Sequence, residues 1–316
     1  MKERALIARL LAPIATHPAA RGLLDDAAVL TPPLGRDLVL THDMLAEGVH
    51  FLPGDPPGDI AHKLLAVNLS DLAAMGARPL GVLMGLGLSP RQDEAWLAAF
   101  TRGLAEGCQR WSAPLLGGDT IAGLDRLTLG LTAIGQVAPG KTLARVGVRP
   151  GDDLWVSGNI GDAGLGLAVA LGEHADAAPE QRAALLARYR RPQPRLALGA
   201  ALGGLASACM DVSDGLLIDA ERLADASRVR ITVDLARVPR SRCADAIGAD
   251  TLRLASAGDD YELLFAAAPS DAAALASTAR RIGIRLTRIG EASAGEGLVV
   301  LGPHGPVTPE RLGWEH

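Results

Sequence analysis

Aromatic residues make up only 3% of this 316-residue chain, so a folded core has to be built from aliphatic side chains. Lysine is scarcer still, with Lys2, Lys63 and Lys141 against 28 arginines, and the arginines are scattered among acids rather than massed in runs. With a net charge of −5 there is no basic footprint, which excludes nucleic acid as a partner. Cysteine is sparse as well. Cys108, Cys209 and Cys243 are odd in number, far apart and without a Cys-x-x-Cys, so neither a disulfide framework nor a zinc knuckle is indicated, and a reducing cytoplasm fits. No long apolar run exists. The longest uncharged stretch, Leu196 to Met210, has 15 residues and three glycines, short of the roughly 20 apolar residues of a membrane helix. The start, from Met1 to Ala15, spaces Leu6, Ile7, Leu10, Leu11 and Ile14 as one helical face among charges, which reads as a surface helix and not a signal peptide.

What is present is 48% hydrophobic content, enough for a large aliphatic core and a pair of ordinary domains. Periodicity predicts strands at Leu38 to Leu40, Val82 to Leu88 and Leu127 to Ile134, with helices at Ile60 to Met75 and Asp93 to Cys108. The pattern breaks around Pro139-Gly140 and Pro150-Gly151, where the boundary falls: residues 1–140 form the first domain and 151–316 the second. Beyond it come a strand at Asp153 to Ser157, a glycine-rich turn and an apolar helix. Helices follow near Pro179 to Tyr189, Arg195 to Ala208, Gly215 to Ala226 and Asp271 to Ile282. Strands fall at Ile231 to Leu235, Glu262 to Ala267, Arg285 to Ile289 and Leu298 to Leu301. Both halves are mixed α and β.

Short acidic motifs recur along the chain, each flanked by apolar or small residues: Asp25-Asp26, Thr41-His42-Asp43, Ser70-Asp71, Gly117-Gly118-Asp119-Thr120, Asp211-Val212-Ser213-Asp214 and Gly258-Asp259-Asp260. A carboxylate set against apolar sequence needs a compensating positive charge, either arginine or a hard cation. The spacings fit neither an EF-hand nor a histidine-rich zinc site, and oxygen-ligated Mg2+ assembled from distant loops is the simplest inference. Such equipment handles phosphate.

Three local motifs have competing explanations. Gly135 to Thr142 matches the P-loop pattern G-x-x-x-x-G-K-[ST], but that motif works only when a helix starts at the lysine and turns its N–H groups toward phosphate. Here only Leu143 to Arg149 precede Pro150-Gly151, and Val146-Gly147-Val148 is a poor helix former, so a polar turn is expected. The strand, glycine-rich turn and helix of Asp152 to Gly166 form a generic anion site without dinucleotide spacing, explained equally by close packing. Ser213 or Asp214 fits a helix N-cap, which accounts for one of those side chains but not for both aspartates of the motif.

Taken together, these motifs resemble thiamine-monophosphate kinase over nearly the whole chain. The resemblance rests on Asp25-Asp26-Ala27-Ala28, Thr41-His42-Asp43 with Glu47 to Phe51, Val67 to Ala77, Gly117 to Thr120, Asp211 to Leu216 and Gly258 to Leu263, in matching order and spacing. Aminoimidazole ribonucleotide synthetase and selenophosphate synthetase share the architecture but match less well at Asn68 to Ala77 and at Asp259 to Leu263. The resemblance implies a two-domain α/β fold of the aminoimidazole ribonucleotide synthetase kind, with an N-terminal sheet that pairs with its copy in a homodimer and a C-terminal α/β domain. It implies ATP as co-substrate and magnesium as cofactor. It also implies roles: Asp26, Thr41, the His42 backbone, Asp43, Asp71, Asp119, Asp211 and Asp214 as metal ligands, with Asp71, Asp119 and Asp214 closest to the chemistry. Gly118, Asp119, Arg145 and Ser213 match nucleotide contacts, and His50, Asp259 and Trp314 match contacts to thiamine monophosphate. Leu24 stands where the family usually has glycine, and His42 where it has threonine. Two rival functions are an ATP-dependent synthetase of the aminoimidazole ribonucleotide type and a non-catalytic nucleotide-binding regulator.

Overall fold

The structure, a computed structural model, describes residues 3–315, with side chains from Ala5 onward. It falls into two units. One contains Ala77–Gly140 and the described residues up to Leu72; the other contains Ala73–Gly76 and the described residues from Lys141 on.

In unit 1 a short helix α1 (Glu3–Leu6) runs into a π-helical turn at Ile7–Leu11. The expected N-terminal helix is therefore irregular where described, and its Met1 and Lys2 lie outside the described residues. Then come β1 (Asp37–Ala46), α2 (Pro57–Ala74), β2 (Arg78–Leu88), α3 (Glu94–Trp111), β3 (Leu115–Ala122) and β4 (Thr128–Val137). The sheet order is β1-β4-β2-β3, with β2 and β3 parallel across the α3 crossover and the other pairs antiparallel. Glycines set the spacing of the helices. A Cβ at Gly103 would press on the Gly58 backbone, and one at Gly107 would press on Leu65, so α3 lies directly against α2. The buried leucines Leu64, Leu65, Leu69 and Leu72 of α2, with Leu97, Phe100 and Leu104 of α3, supply the apolar material.

Unit 2 contains β5 (Asp153–Ser157), α4 (Asp162–Ala170), α5 (Pro179–Arg190), α6 (Leu196–Leu202), β6 (Ala206–Val212), α7 (Leu216–Ser227) and β7 (Arg230–Asp234). It continues with α8 (Arg242–Ala246), α9 (Thr251–Ala255), β8 (Glu262–Ala267), α10 (Ala272–Ile282), β9 (Leu286–Ser293), β10 (Gly297–Gly302) and β11 (Gly305–Val307). Its sheet order is β11-β10-β7-β9-β5-β8-β6. Strand β8 is buried along its whole length. Leu264 and Ala266 enter a core with Leu154, Val156, Leu217 and Ile289, while Leu263, Phe265 and Ala267 enter another with Leu198, Leu202 and Leu275. The side-chain period of two divides one strand between two apolar layers.

The differences from the sequence reading have local causes. Strand β3 was hidden by Gly117-Gly118-Asp119, residues depleted in strands; a Cβ at Gly118 would overlap the Met84 carbonyl, so β2 and β3 need this glycine to pair. The expected helix Arg195 to Ala208 stops at Leu202, because Gly204 takes φ 91°, and the chain re-enters the sheet as β6. Strand β1 is longer than Leu38 to Leu40, because Leu38, Leu40 and Met44 are exposed and so give no ordinary burial pattern. The expected strand to Leu235 ends at Asp234, whose carboxylate caps the next turn by accepting from the Ala236 N–H. Strand β11 and the short helices α8 and α9 have no counterpart in the sequence reading.

Candidate active site

Unit 1 holds a cavity of about 630 Å³ lined by Asp25, Asp26, His42, Gly118, Asp119 and Thr132 among others. Strand register builds its floor. His42 lies opposite Thr132, Thr132 opposite Leu83, and Leu83 opposite Gly117, so one row crosses all four strands; the next row ends at Asp119 opposite Gly85. His42 Nδ1 is 2.9 Å from Thr132 Oγ1. The alternate residues of β1 meet α2 instead. Thr41 Oγ1 donates to the Asp71 carboxylate, and the Asp43 N–H donates to Asn68 Oδ1 at 2.8 Å. Asn68 and Asp71, i and i+3 on α2, therefore face the middle of β1 together, and the apolar residues beside them in sequence pack elsewhere. His50 is tied to the end of the same strand: its Nδ1 accepts the Ala46 N–H at 3.1 Å, and its carbonyl accepts from the buried Lys63 at 2.8 Å.

Unit 2 brings Asp214, Ser213, Asp259 and Trp314 together through backbone hydrogen bonds. The Asp259 N–H donates to the Ser213 carbonyl, the Tyr261 N–H to the Val212 carbonyl and the Trp314 N–H to the Asp214 carbonyl, each at 2.8 Å. The 258–261 segment and Trp314 thus converge on the turn between β6 and α7. That turn is held from inside by Asp219, whose Oδ2 accepts the N–H groups of Ser213 at 3.0 Å and Asp214 at 3.2 Å. Arg222 donates to both Asp214 and Asp219. Burial pushes the Asp219 carboxyl up to about 6, with Arg222 opposing the rise. Trp314 is 49% exposed, and the Arg311 guanidinium lies 4.7 Å from its ring centroid.

The loop that precedes β8 divides its acids among different surroundings. Asp260 is 1% exposed and accepts from Gly161 N–H at 2.6 Å and Ala163 N–H at 3.3 Å, at the start of α4. Burial pushes its carboxyl up to about 8, opposed by those N–H groups and by Arg188. Glu262, fully buried, accepts from Arg188 at 2.9 Å, from Arg195 Nε at 2.6 Å and from Ser157 Oγ at 2.6 Å. Burial alone would raise its carboxyl, but the two guanidiniums lower it overall. Asp259 is only partly buried and takes a left-handed φ of 71°, with Tyr261 at 50°.

Arg145 is exposed on an irregular segment organised by Ser227, whose hydroxyl donates to the Arg145 carbonyl and accepts the Gly147 N–H at 3.1 Å. No helix starts at Lys141; the chain is irregular to Pro150, so the P-loop match is a turn, as its context predicts. Among the described residues, no three His, Cys, Asp or Glu side chains stand together as a ready cation site. The available donors are nevertheless carboxylate and hydroxyl oxygens, the set that suits magnesium, which is commonly held by one or two carboxylates together with substrate phosphates. The sequence reading assigned no role to Asp219, Arg222, Asp260, Glu262, Arg188 or Arg195, although Asp260 and Glu262 lie within the quoted Gly258 to Leu263 string and Asp219 is an acid in the first turn of the helix after the Asp211 to Asp214 motif.

Sheet-and-helix units carrying acids on strand ends and helix starts define a class. Residues 24–137 match the family model for the N-terminal domain of AIR synthase related proteins and residues 149–302 that for the C-terminal domain, so the chain belongs to that family. Within it, the chain is 44% identical to a thiamine-monophosphate kinase of Caulobacter vibrioides over 98% of its own length and 89% of the relative. It is similar to the crystal structure of thiamine-monophosphate kinase from Stenotrophomonas maltophilia K279a, with TM-score 0.82 and 42% identity, covering 88% of this chain and 89% of that one. AaThiL complexed with AMPPCP and TMP is similar over 98% of this chain and 94% of that one, with TM-score 0.79 and 28% identity. The chain is a member of the thiamine-monophosphate kinase family.

Proposed function

We propose that the protein transfers the γ-phosphoryl group of ATP to thiamine monophosphate, making thiamine diphosphate and ADP. The observation that carries this reading is 44% identity, over almost the whole chain, to a protein named for that activity. The ATP analogue and TMP held by AaThiL agree with it. A phosphate oxygen of the acceptor forms the new P–O bond as the bond between the β,γ-bridging oxygen and the γ-phosphorus breaks.

The acceptor's second pKa is about 6, so at neutral pH it is largely dianionic and needs no strong base to deprotonate it. The obstacle is repulsion between two polyanions, met by positioning and by positive charge. In unit 1, Asp26, Thr41, His42 through its backbone, Asp43, Asp71 and Asp119 supply hard oxygen donors, and Gly118 admits a nucleotide close to the strand backbone. In unit 2, Asp211 and Asp214 supply carboxylates, Ser213 and Arg145 contact nucleotide phosphates, and Asp259 and Trp314 hold the acceptor, as does His50 in unit 1. Magnesium, when bound by these oxygens, neutralises phosphate charge.

The working form is a homodimer formed through unit 1. Strand β1 is an edge strand whose Leu38, Leu40 and Met44 are 44%, 64% and 56% exposed, an apolar row that a second copy covers. We place the protein in the cytoplasm, where the free thiols of the buried Cys108 and Cys209 stay reduced; among the described residues no helix is long and apolar enough to cross a membrane. The test is a product assay: the protein with ATP, magnesium and thiamine monophosphate, read by chromatography for thiamine diphosphate and ADP. Formation of both in equal amounts supports the reading. ATP bound without turnover overturns it in favour of a regulator, and turnover only with a precursor of aminoimidazole ribonucleotide favours the synthetase.

A further inference from the structure

The glycine-rich turn at residues 158–164 has the form of an anion site, yet the structure fills it from within. The Asp260 carboxylate takes the Gly161 and Ala163 N–H groups at the start of α4. The packing is close on every side. A Cβ at Gly161 would meet Leu254, one at Gly164 would meet Ala257 and one at Gly258 would meet the Ser213 carbonyl. The loop of residues 257–261 is therefore wedged between the glycine-rich turn and the Ser213 turn, and the 2.8 Å bond from Asp259 N–H to Ser213 carbonyl spans the second contact. On either side of the buried Asp260, Asp259 and Tyr261 hold left-handed backbone conformations that are unfavourable for non-glycine residues. Such a pair persists only where its surroundings over-determine it.

We infer that Asp260 is a positioning residue for acceptor binding: by anchoring the loop in the helix start, it fixes the conformation from which Asp259 reaches thiamine monophosphate. This rests on the proposed function, since Asp259 is assigned to the acceptor there. It also explains why a carboxylate is buried at a place where phosphate would otherwise bind. The glycine-rich turn serves the loop and not a ligand. Asparagine at position 260 keeps the shape, but whichever oxygen becomes NH2 then faces an N–H that it cannot accept, whereas either oxygen of the carboxyl, ionised or protonated, retains a lone pair for it. The clamp loosens without opening a cavity.

The experiment compares the full-length protein with Asp260→Asn, Asp259→Asn and the double variant, measuring KM for thiamine monophosphate and for ATP in each. Asp260→Asn is expected to raise KM for thiamine monophosphate by about tenfold, the scale of one lost hydrogen bond, while KM for ATP moves less than about twofold. If Asp260 acts through Asp259, adding Asp260→Asn to Asp259→Asn changes KM for thiamine monophosphate little further. Equal effects on both KM values, no effect on either, or full additivity in the double variant overturn the inference. Should Asp260→Asn not fold, hydrogen exchange of the unaltered protein decides. Protection of the Gly161 and Ala163 amides that rises when thiamine monophosphate is added supports the role, and unchanged protection overturns it. An unaltered protein that makes no thiamine diphosphate overturns the functional reading instead, and the two failures are thereby distinct.

Discussion

At the scale of single residues, the carboxylates divide by what neutralises them. Asp214 and Asp219 share Arg222, and Glu262 has two arginines and a serine hydroxyl, so these acids are stabilised within the protein itself. Asp71 accepts from a neutral hydroxyl, Thr41. On the proposed reading, Asp71→Asn removes charge needed during transfer and lowers turnover at least ~100-fold, about 3 kcal/mol, while the fold survives. Steady-state kinetics and circular dichroism check both halves; near-normal turnover at limiting magnesium refutes the assignment. Trp314 gives a second residue-level prediction. Its exposed ring already accepts one cation, Arg311, and a cationic thiazolium on the ring contributes about 0.5 to 2 kcal/mol. Trp314→Ala is expected to raise KM for thiamine monophosphate several-fold to tens-fold and to leave KM for ATP unchanged. An unchanged KM for thiamine monophosphate returns Trp314 to a packing role.

At the scale of elements, the segment after β4 and the start of α4 each separate a motif from its usual meaning. Lys141 precedes an irregular run, not a helix, so Lys141→Ala is expected to keep turnover within about tenfold, whereas Arg145→Ala, losing a guanidinium, weakens ATP use more. The reverse ranking, with both variants folded, would restore the P-loop. The start of α4 carries a pH prediction. The Asp260 carboxyl stands at about 8 in the folded protein, far above an exposed aspartic acid. A raised folded value means that the native state holds the proton more tightly. Its contribution to stability is therefore complete below about pH 4 and declines as pH rises toward 8. Asp219, raised to about 6, adds a decline of the same sign over a lower range. Arg188 and Asp162 are the charged neighbours that modulate Asp260. The melting temperature of Asp260→Asn should therefore gain on that of the parent between pH 5 and pH 8. A constant difference across that range contradicts the raised value.

At the scale of the whole molecule, the proposed homodimer rests on the exposed row of β1. Leu40→Glu places a charge at the centre of the apolar row without touching the buried face, where Thr41 meets Asp71. The expected outcome is a monomer by sedimentation at micromolar concentration, where the unaltered chain sediments as a dimer. Identical sedimentation of the two proteins removes unit 1 from the dimer proposal.

Much of this was legible in the linear chain. A continuous apolar run placed β8 at Glu262–Ala267 and helical spacing placed α10 to within a residue, because their flanks and patterns depend on neighbours close in sequence. The acidic motifs, their order and the family followed from identity and spacing alone, and so did the rejection of the P-loop, since only Leu143 to Arg149, with the poor helix former Val146-Gly147-Val148 among them, separate Thr142 from Pro150-Gly151. Only the tertiary structure decided the rest. Strand β3 exists because Gly118 lets two strands approach, and α6 ends early because Gly204 allows a left-handed turn; pairing partners decide both, and they lie far away in sequence. The same distance hid the fate of the acids. Asp259, Asp260 and Glu262 are near-neighbours with similar side chains, yet they sit respectively on a left-handed bend, in a helix start and between two arginines. A carboxylate's role is set by the donors that surround it, and for Asp260 and Glu262 those donors come from residues 67 to 105 positions away.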